Sequence, residues 1–526
     1  MSRLLKPLHA ASFALAGLLA WTSLASAAPA QPERVRPVPH LSAAPPTLPG
    51  LLPAPPAEHS TPAWANRVRS AIASLEPATM RPDHERGLAK RLDRVLDKAP
   101  TRSTVAIHVR DLEDGRVLFD RRGGWHLNPA SNQKIVTAHA AVELLGSDYR
   151  FETLLARSGD TLYLRGEGDP SVSLAELDGL LRAAHAKGEL AGVHTLRIDD
   201  SAFDPQRYAP GVDEHAGEAA YLAPTGAASL NFNTVEIIVR PGTHPGDAAQ
   251  VEVFPPSAAI ELVNDALTGT GALEIESTAS ANGHTRIRVS GSIAENAPKT
   301  VERRRIHDPS LFVAGALREL ATALIGEVDW TLERGPMPET ARVLARHKSA
   351  TLVDVLSASM KYSNNFTTEQ VLRTLAWRAT GRPGSWDDGV ALLEAFTEGV
   401  ASVEDEVQLV NGSGLTHDGR LSPRMLVDLL SLSGRAGSPS EALLASYARA
   451  GGEGTLHYRN VSAGSRVRAK TGTLAGVSAL SGVVYSKDGQ RRVAFSMLVN
   501  GADAKDSRAT QDHAVQAMLA WLDAQG

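Results

Sequence analysis

The sequence predicts an α/β protein in which an antiparallel sheet flanked by helices is assembled from distant parts of the chain, with a helical part and inserted β-rich domains beside it. Three observations predict it. Residues 103–122, "STVAIHVRDLEDGRVLFDRR", place two apolar-alternating runs around Asp114-Gly115, the pattern of a hairpin with a tight turn. Residues 478–500, "SALSGVVYSKDGQRRVAFSMLVN", repeat that pattern around Asp488-Gly489, and a helix with Ala514, Val515, Met518, Leu519 and Leu522 at helical spacing follows. Between them the texture changes: residues 152–304 are rich in short strands and turns ("TLYLRGEGDP", "VHTLRIDDSAF", "NFNTVEIIVRPG", "HTRIRVSGS"), and helical periodicity returns from "RRRIHDPSLFVAGALRELATALIG" onward.

The chain has 526 residues, 43% of them apolar and 21% charged, enough for several packed domains. At the N-terminus, Arg3 and Lys6 precede the apolar run "AASFALAGLLAWTSLA", and Ala25-Ser26-Ala27 supplies a small-residue cleavage site. This predicts a signal peptide over 1–27 and export, with a bacterial periplasm as the compartment and no membrane span in the mature chain. Residues 28–63 are dense in proline and alanine and cannot build a core, so they read as a disordered leader, with ordered structure starting near Trp64. The remainder divides into a discontinuous main domain, 64–151 with 305–526, and a β-rich insert, 152–304. The absence of cysteine excludes disulfides and thiolate chemistry. A net charge of −5 argues against nucleic-acid binding through bulk positive charge. The 17 histidines form no H-x-H or H-E-x-x-H cluster, and no Walker A, complete G-x-G-x-x-G or G-x-S-x-G pattern occurs, so no metal and no cofactor is expected.

Chemistry concentrates in the stretch "NPASNQKIVTAHAAVELLG", where Ser131 and Lys134 stand one helical turn apart at the start of an apolar run. A serine nucleophile needs a group to take its proton, and a lysine can do so once burial or a neighbouring cation lowers its pKa. A helix N-terminus also favours developing negative charge. By itself S-x-x-K is a weak pattern. A second cation is offered by Lys470-Thr471-Gly472 at the start of the C-terminal hairpin, where a glycine in a strand marks close approach by another backbone or a ligand. A polar S-x-N occurs three times, at Ser229, Ser280 and Ser363. Ser280-Ala281-Asn282 leads into an Asn-Gly turn, Ser229-Leu230-Asn231 leads into a strand, and only Ser363-Asn364-Asn365 lies between two helical runs.

The order Ser131-x-x-Lys134, Ser363-x-Asn365, Lys470-Thr471-Gly472 resembles the penicillin-binding protein and serine β-lactamase superfamily. Within it the chain resembles the D-alanyl-D-alanine carboxypeptidase/endopeptidase family S13, over roughly residues 66–524. "PASNQKIVTAHAAVELLG", "GEGDPSVS", "MKYSNNFTTEQVL" with its downstream Glu369, "NGSGL" and "KTGTLAGVSALSG" carry the likeness. The resemblance implies the transpeptidase-like fold with inserted domains, which suits the long gap between Ser131 and Ser363. It also implies hydrolysis of D-Ala-D-Ala ends and cross-links of peptidoglycan peptides through an acyl-serine, with β-lactam antibiotics as acylating inhibitors. Residue by residue, it implies Ser131 as nucleophile, Lys134 as its base and Ser363 as proton relay. Asn365, Lys470, Thr471, Gly472 and Thr473 would hold substrate, with the N–H groups of Ser131 and Thr473 forming an oxyanion hole. Ser413 would be near the site or a loop-shaping residue.

Two other readings compete. Tyr362-Ser363-Asn364 also fits the Y-x-N motif of class C β-lactamases, which would make Tyr362 the proton carrier. A class A deacylating glutamate would be wanted in E-x-x-L-N, but "EVQLVN" puts Glu406 one residue out of register. A non-catalytic wall-binding relative would be expected to have lost Ser131, Lys134 or Lys470, and all three are present.

Overall fold

The computed structural model describes residues 82–525 apart from 214–216, 402–405, 436, 458, 460 and 462–465, with side chains from residue 87 onward. The expected signal peptide, leader and helix starting at Trp64 lie outside the described residues.

Helix α1 (Pro82–Leu96) buries Leu88, Leu92 and Leu96, spaced four apart on one face. The hairpin β1 (Thr104–Asp111) and β2 (Val117–Arg121) follows, turning through Gly115 at φ 74°. A 3-10 turn (Ala130–Gln133) then runs directly into α2 (Lys134–Leu145), whose burial on every side suits the interior of a helical cluster.

The β-rich part comes next: β3 (Glu152–Ser158), β4 (Thr161–Gly166), α3 (Leu174–His185), β5 (Thr195–Asp199), β6 (Thr234–Arg240), β7 (Gln250–Phe254), β8 (Ile260–Asn264), β9 (Leu267–Thr268), β10 (Leu273–Ala279), β11 (Thr285–Ile293), β12 (Thr300–Arg305), α4 (Pro309–Ile325), β13 (Thr331–Arg334) and β14 (Arg342–Lys348). It forms a five-stranded sheet in the order β13-β5-β4-β3-β14, a three-stranded sheet β12-β6-β7 and a four-stranded one built on β10-β11-β8 with β9 beside β11. One apolar cluster, with Leu164, Leu196, Ile237, Ile287, Phe312 and Leu317 among its members, joins all three sheets to α3 and α4. Ser280 stands at the β10–β11 turn, as the Asn-Gly pattern predicts. Two strands past residue 304 belong with this part: β13 pairs with β5, and β14 pairs with β3.

The chain then returns as helices α5 (Leu352–Tyr362), α6 (Asn365–Thr380), α7 (Trp386–Val400) and α8 (Pro423–Ser433), and ends in β15 (Ala448–Arg449), β16 (Val467–Leu474), β17 (Val477–Tyr485), β18 (Arg492–Asn500) and α9 (Ala504–Asp523). The expected sheet from distant segments is present: six antiparallel strands in the order β15-β16-β17-β18-β1-β2, with β1 closing onto β18. Both of its faces are covered. Leu480, Val484, Val493, Phe495, Met497 and Val499 pack with α1 and α9, whereas Ala479, Val483, Ala494 and Leu498 pack with α2 and α5 to α8. Double burial explains why β17 and β18 read as nearly unbroken apolar runs rather than alternating ones. Among the described residues no helix is long and apolar enough to cross a membrane.

Candidate active site

The site forms where β16 meets the 3-10 turn and the helices. Ser131 lies on that turn and Lys134 begins α2, so the pair keeps the one-turn spacing although only Lys134 is α-helical. The turn starts from Ala130 at φ 45°, a left-handed value costly for a residue with a side chain, of order 1–3 kcal/mol. Ser363 ends α5 in the same left-handed region, at φ 62°, and the Asn364 side chain caps the next helix by accepting from the Thr367 amide at 2.8 Å. This abrupt break between two helices presents Ser363 and Asn365 side by side.

Close backbone approach brings the pieces together. A Cβ on Gly472 would lie 2.7 Å from the Pro129 carbonyl and 3.1 Å from the Ser131 amide, so only glycine lets β16 lie against the Ser131 turn. A Cβ on Gly414, at φ 73°, would lie 2.1 Å from the Ala130 carbonyl, so the "NGSGL" loop packs against the same turn from the other side.

The Lys134 amine is completely buried. It lies 3.0 Å from Ser131 Oγ, 2.7 Å from Asn365 Oδ1 and 2.8 Å from the Ser413 carbonyl. Burial lowers its pKa from the ordinary lysine value to about 7, against the upward pull of Glu369. This geometry constrains the proton. Asn365 Oδ1 and the Ser413 carbonyl can only accept, so a neutral amine gives them its two N–H groups and leaves its lone pair for the Ser131 hydroxyl. Lys470, equally buried, donates to Ser363 Oγ at 2.9 Å and to the Thr471 carbonyl at 2.7 Å. Burial, then the charge of Lys134, holds its pKa well below the ordinary value.

The other expected residues also gather here. Asn365 Nδ2 donates to the Tyr221 carbonyl of the β-rich part at 3.1 Å. Thr471 Oγ1 donates to Thr455 Oγ1 at 2.8 Å, and Thr473 Oγ1 accepts from the exposed Arg508 at 3.5 Å. Ser413 contributes its carbonyl rather than its hydroxyl, which accepts from Leu415 within its own loop. Tyr362 stands apart: the residue is 56% exposed and its hydroxyl donates to Glu453 at 3.3 Å. Glu406 is exposed. Ser229 is tied to the Gly226 carbonyl and to Asn233 within the β-rich part.

Several residues of the site carried no role in the sequence reading. Asn132 donates to the Lys470 carbonyl at 2.9 Å and accepts from Ser481 at 2.6 Å, tying the Ser131 turn to the sheet. Thr137 donates to the Gly412 carbonyl at 2.8 Å. Glu369, four residues beyond Asn365, accepts from the backbone of Gly412 and Ser413 and from Trp386. The motif "NGSGL" signalled that the loop mattered, but not which side chains hold it. Among the described residues no group of three or more His, Asp or Glu side chains could hold a metal ion.

An antiparallel sheet between helical layers, with a serine and two buried lysines gathered beside β16, places the molecule among proteins of the penicillin-binding and β-lactamase fold. The crystal structure of penicillin binding protein 4 (dacB) from Haemophilus influenzae has that fold, matching with a TM-score of 0.67 over 80% of this chain and 97% of its own, at 22% identity. The chain belongs to the D-Ala-D-Ala carboxypeptidase 3 (S13) family, whose model matches residues 88–522. A D-alanyl-D-alanine carboxypeptidase from Actinomadura sp. (strain R39) is 34% identical over 457 residues, spanning 81% of this chain and 83% of its own length. The D-alanyl-D-alanine carboxypeptidase DacB of Haemophilus influenzae is 23% identical over 426 residues, spanning 78% and 88%.

Proposed function

We propose that the protein is a serine-type D-Ala-D-Ala carboxypeptidase and endopeptidase acting on peptidoglycan stem peptides and cross-links, and that penicillins acylate and inhibit it. Family membership supports the carboxypeptidase activity. The observation that carries the serine mechanism is the buried Lys134 amine, held by two acceptor-only groups with the Ser131 hydroxyl as its third neighbour.

In this reading the Ser131 hydroxyl gives its proton to Lys134 Nζ as Oγ attacks the carbonyl carbon of the penultimate D-Ala. The N–H groups of Ser131 and Thr473 stabilise the oxyanion. The C–N bond then breaks, and the leaving amine takes a proton through Ser363, which Lys470 holds. Water hydrolyses the acyl-serine and restores the hydroxyl. Asn365 binds the substrate amide, Thr471 and Thr473 bind the terminal carboxylate with Lys470 attracting it, and Gly472 lets substrate lie along β16. Ser363 rather than Tyr362 is the relay, because Ser363 touches Lys470 whereas the Tyr362 hydroxyl turns to Glu453. A β-lactam follows the same path to a slowly hydrolysed adduct. We also propose an extracytoplasmic, periplasmic location, and an insert running from 152 to 348 rather than to 304, since β13 and β14 complete its five-stranded sheet.

The test is intact mass after incubation with a fluorescent penicillin. The wild type should gain one stable adduct and Ser131→Ala none. Rapid turnover to penicilloate would instead make the protein a β-lactamase, and no reaction would make it a non-catalytic relative. Parallel assays on a D-Ala-D-Ala pentapeptide and on a cross-linked dimer separate the two peptidase activities.

A further inference from the structure

The residues that hold Lys134 are themselves held, and the chain of contacts ends at one carboxylate. Glu369 is 4% exposed and lies one helical turn beyond Asn365 on α6. Its two oxygens accept from the Ser413 amide at 2.8 Å, the Gly412 amide at 3.0 Å and Trp386 Nε1 at 2.8 Å. The two consecutive backbone N–H groups pointing at one carboxylate fix the Asn411–Gly412 and Gly412–Ser413 peptide planes. Asn411 Oδ1, accepting from the Gly414 amide at 2.8 Å, then sets the next plane, which carries the Ser413 carbonyl that meets Lys134. From the opposite side Thr137 and Gln133 of the nucleophile segment bond the carbonyls of Gly412 and Asn411. The proposed mechanism leaves this buried carboxylate without a task, and a buried charge held by hydrogen bonds to backbone is costly to keep unless it serves one.

We propose that Glu369 is a positioning residue: its carboxylate clamps the 411–414 loop so that the Ser413 carbonyl holds the Lys134 amine against Ser131, and it supplies the negative charge nearest that amine. This deepens the reading of Lys134 as the base and rests on it. The charged and titratable groups around the pair are few. Lys470 of β16 is bonded to Ser363 and Thr471. Arg373, one turn further along α6, is tied to Asp204. His139 of α2 is kept neutral by burial, which lowers its pKa to about 4. Helix α7 presents Trp386, α5 presents Ser359 to Thr368, α8 presents Ser433 to His139, and the Lys361 at the end of α5 is paired with Glu453.

The experiment is the rate of acylation by a fluorescent penicillin against pH for the wild type, Glu369→Gln and Glu369→Asp, with a thermal melt of each. A carboxylate stabilises the ammonium form, so removing its charge makes Lys134 easier to deprotonate. Glu369→Gln should move the acid limb of the profile to lower pH by ~0.5–1 unit and lower the plateau rate ~10–10²-fold, as a misplaced catalytic group does. Glu369→Asp keeps the charge and should return the limb toward its wild-type position while the plateau stays low. A limb that stays put in Glu369→Gln, with the melt lowered or not, overturns the proposal and leaves Glu369 a loop-packing residue. If the wild type itself forms no adduct, or Ser131→Ala forms one equally well, it is the mechanism that fails, and the two failures are distinguishable.

Discussion

Lys134 and Arg373 are both basic side chains with no exposed surface, yet the molecule treats them in opposite ways. Arg373, where α6 meets the β-rich part, is paired with Asp204 at 2.7 Å and donates to the carbonyls of Asp204, Gln206 and Gly384 and to Thr225. Its guanidinium lies between the rings of Phe203 and Trp386, 4.5 and 4.3 Å from their centroids. Burial pulls its pKa down only to about 10, so it stays charged at neutral pH. Lys134, by contrast, meets only neutral partners within hydrogen-bond reach. The cost of burying charge is offset at Arg373 and becomes architecture; at Lys134 it is left standing and becomes basicity.

The largest expected effect comes from making one cation behave like the other. Lys134→Arg installs a group that cannot deprotonate, so acylation by penicillin should fall by at least ~10²–10⁴-fold in stopped-flow fluorescence. Retained acylation would mean that Lys134 is not the base. Next, Arg373→Met should destabilise the fold by about 3–5 kcal/mol in chemical denaturation, because it strips the donor from the carbonyls of Asp204, Gln206 and Gly384 and leaves the partly buried Asp204 carboxylate unpaired. Lys134→Met, which removes a group whose burial no ion pair offsets, should cost less than Arg373→Met.

These contrasts bear on what the chain reveals before it folds. The Ser131–Lys134 spacing, the Ser363 break and the Lys470 strand were readable because each is local: one turn, one helix boundary, one hairpin. Lys470 meeting Ser363, and Glu369 meeting the backbone of residues 412–413, depend on segments far apart in sequence, and no periodicity encodes them. The strands β13 and β14 were also illegible. They are short edge strands with polar, half-exposed residues, "TLER" and "RVLARHK", lacking the alternation that marks a half-buried strand.

Gly472→Ala would set a methyl against the Pro129 carbonyl and the Ser131 amide, and should slow acylation ~10-fold or more while costing about 1–3 kcal/mol. The pH dependence of stability carries a definite sign. Unfolded, Lys134 holds its proton up to about pH 10.4, and folded only to about pH 7. Between those values the unfolded chain binds more protons, so this residue makes stability rise with pH. The denaturation midpoint of the wild type should therefore gain on that of Lys134→Met from pH 7 to pH 9, whereas a constant difference would contradict the lowered pKa. Smallest of all, Tyr362→Phe should leave acylation within about twofold of wild type, and a large loss would revive the tyrosine register.

The most direct test of the central claim, that a neutral Lys134 deprotonates Ser131, is the single-turnover acylation rate of the full chain by a penicillin from pH 5 to pH 10. The rate should climb through an acid limb near pH 7 and level above it. A limb near the ordinary lysine value, or a rate indifferent to pH, would show that the buried amine is not the group that takes the proton.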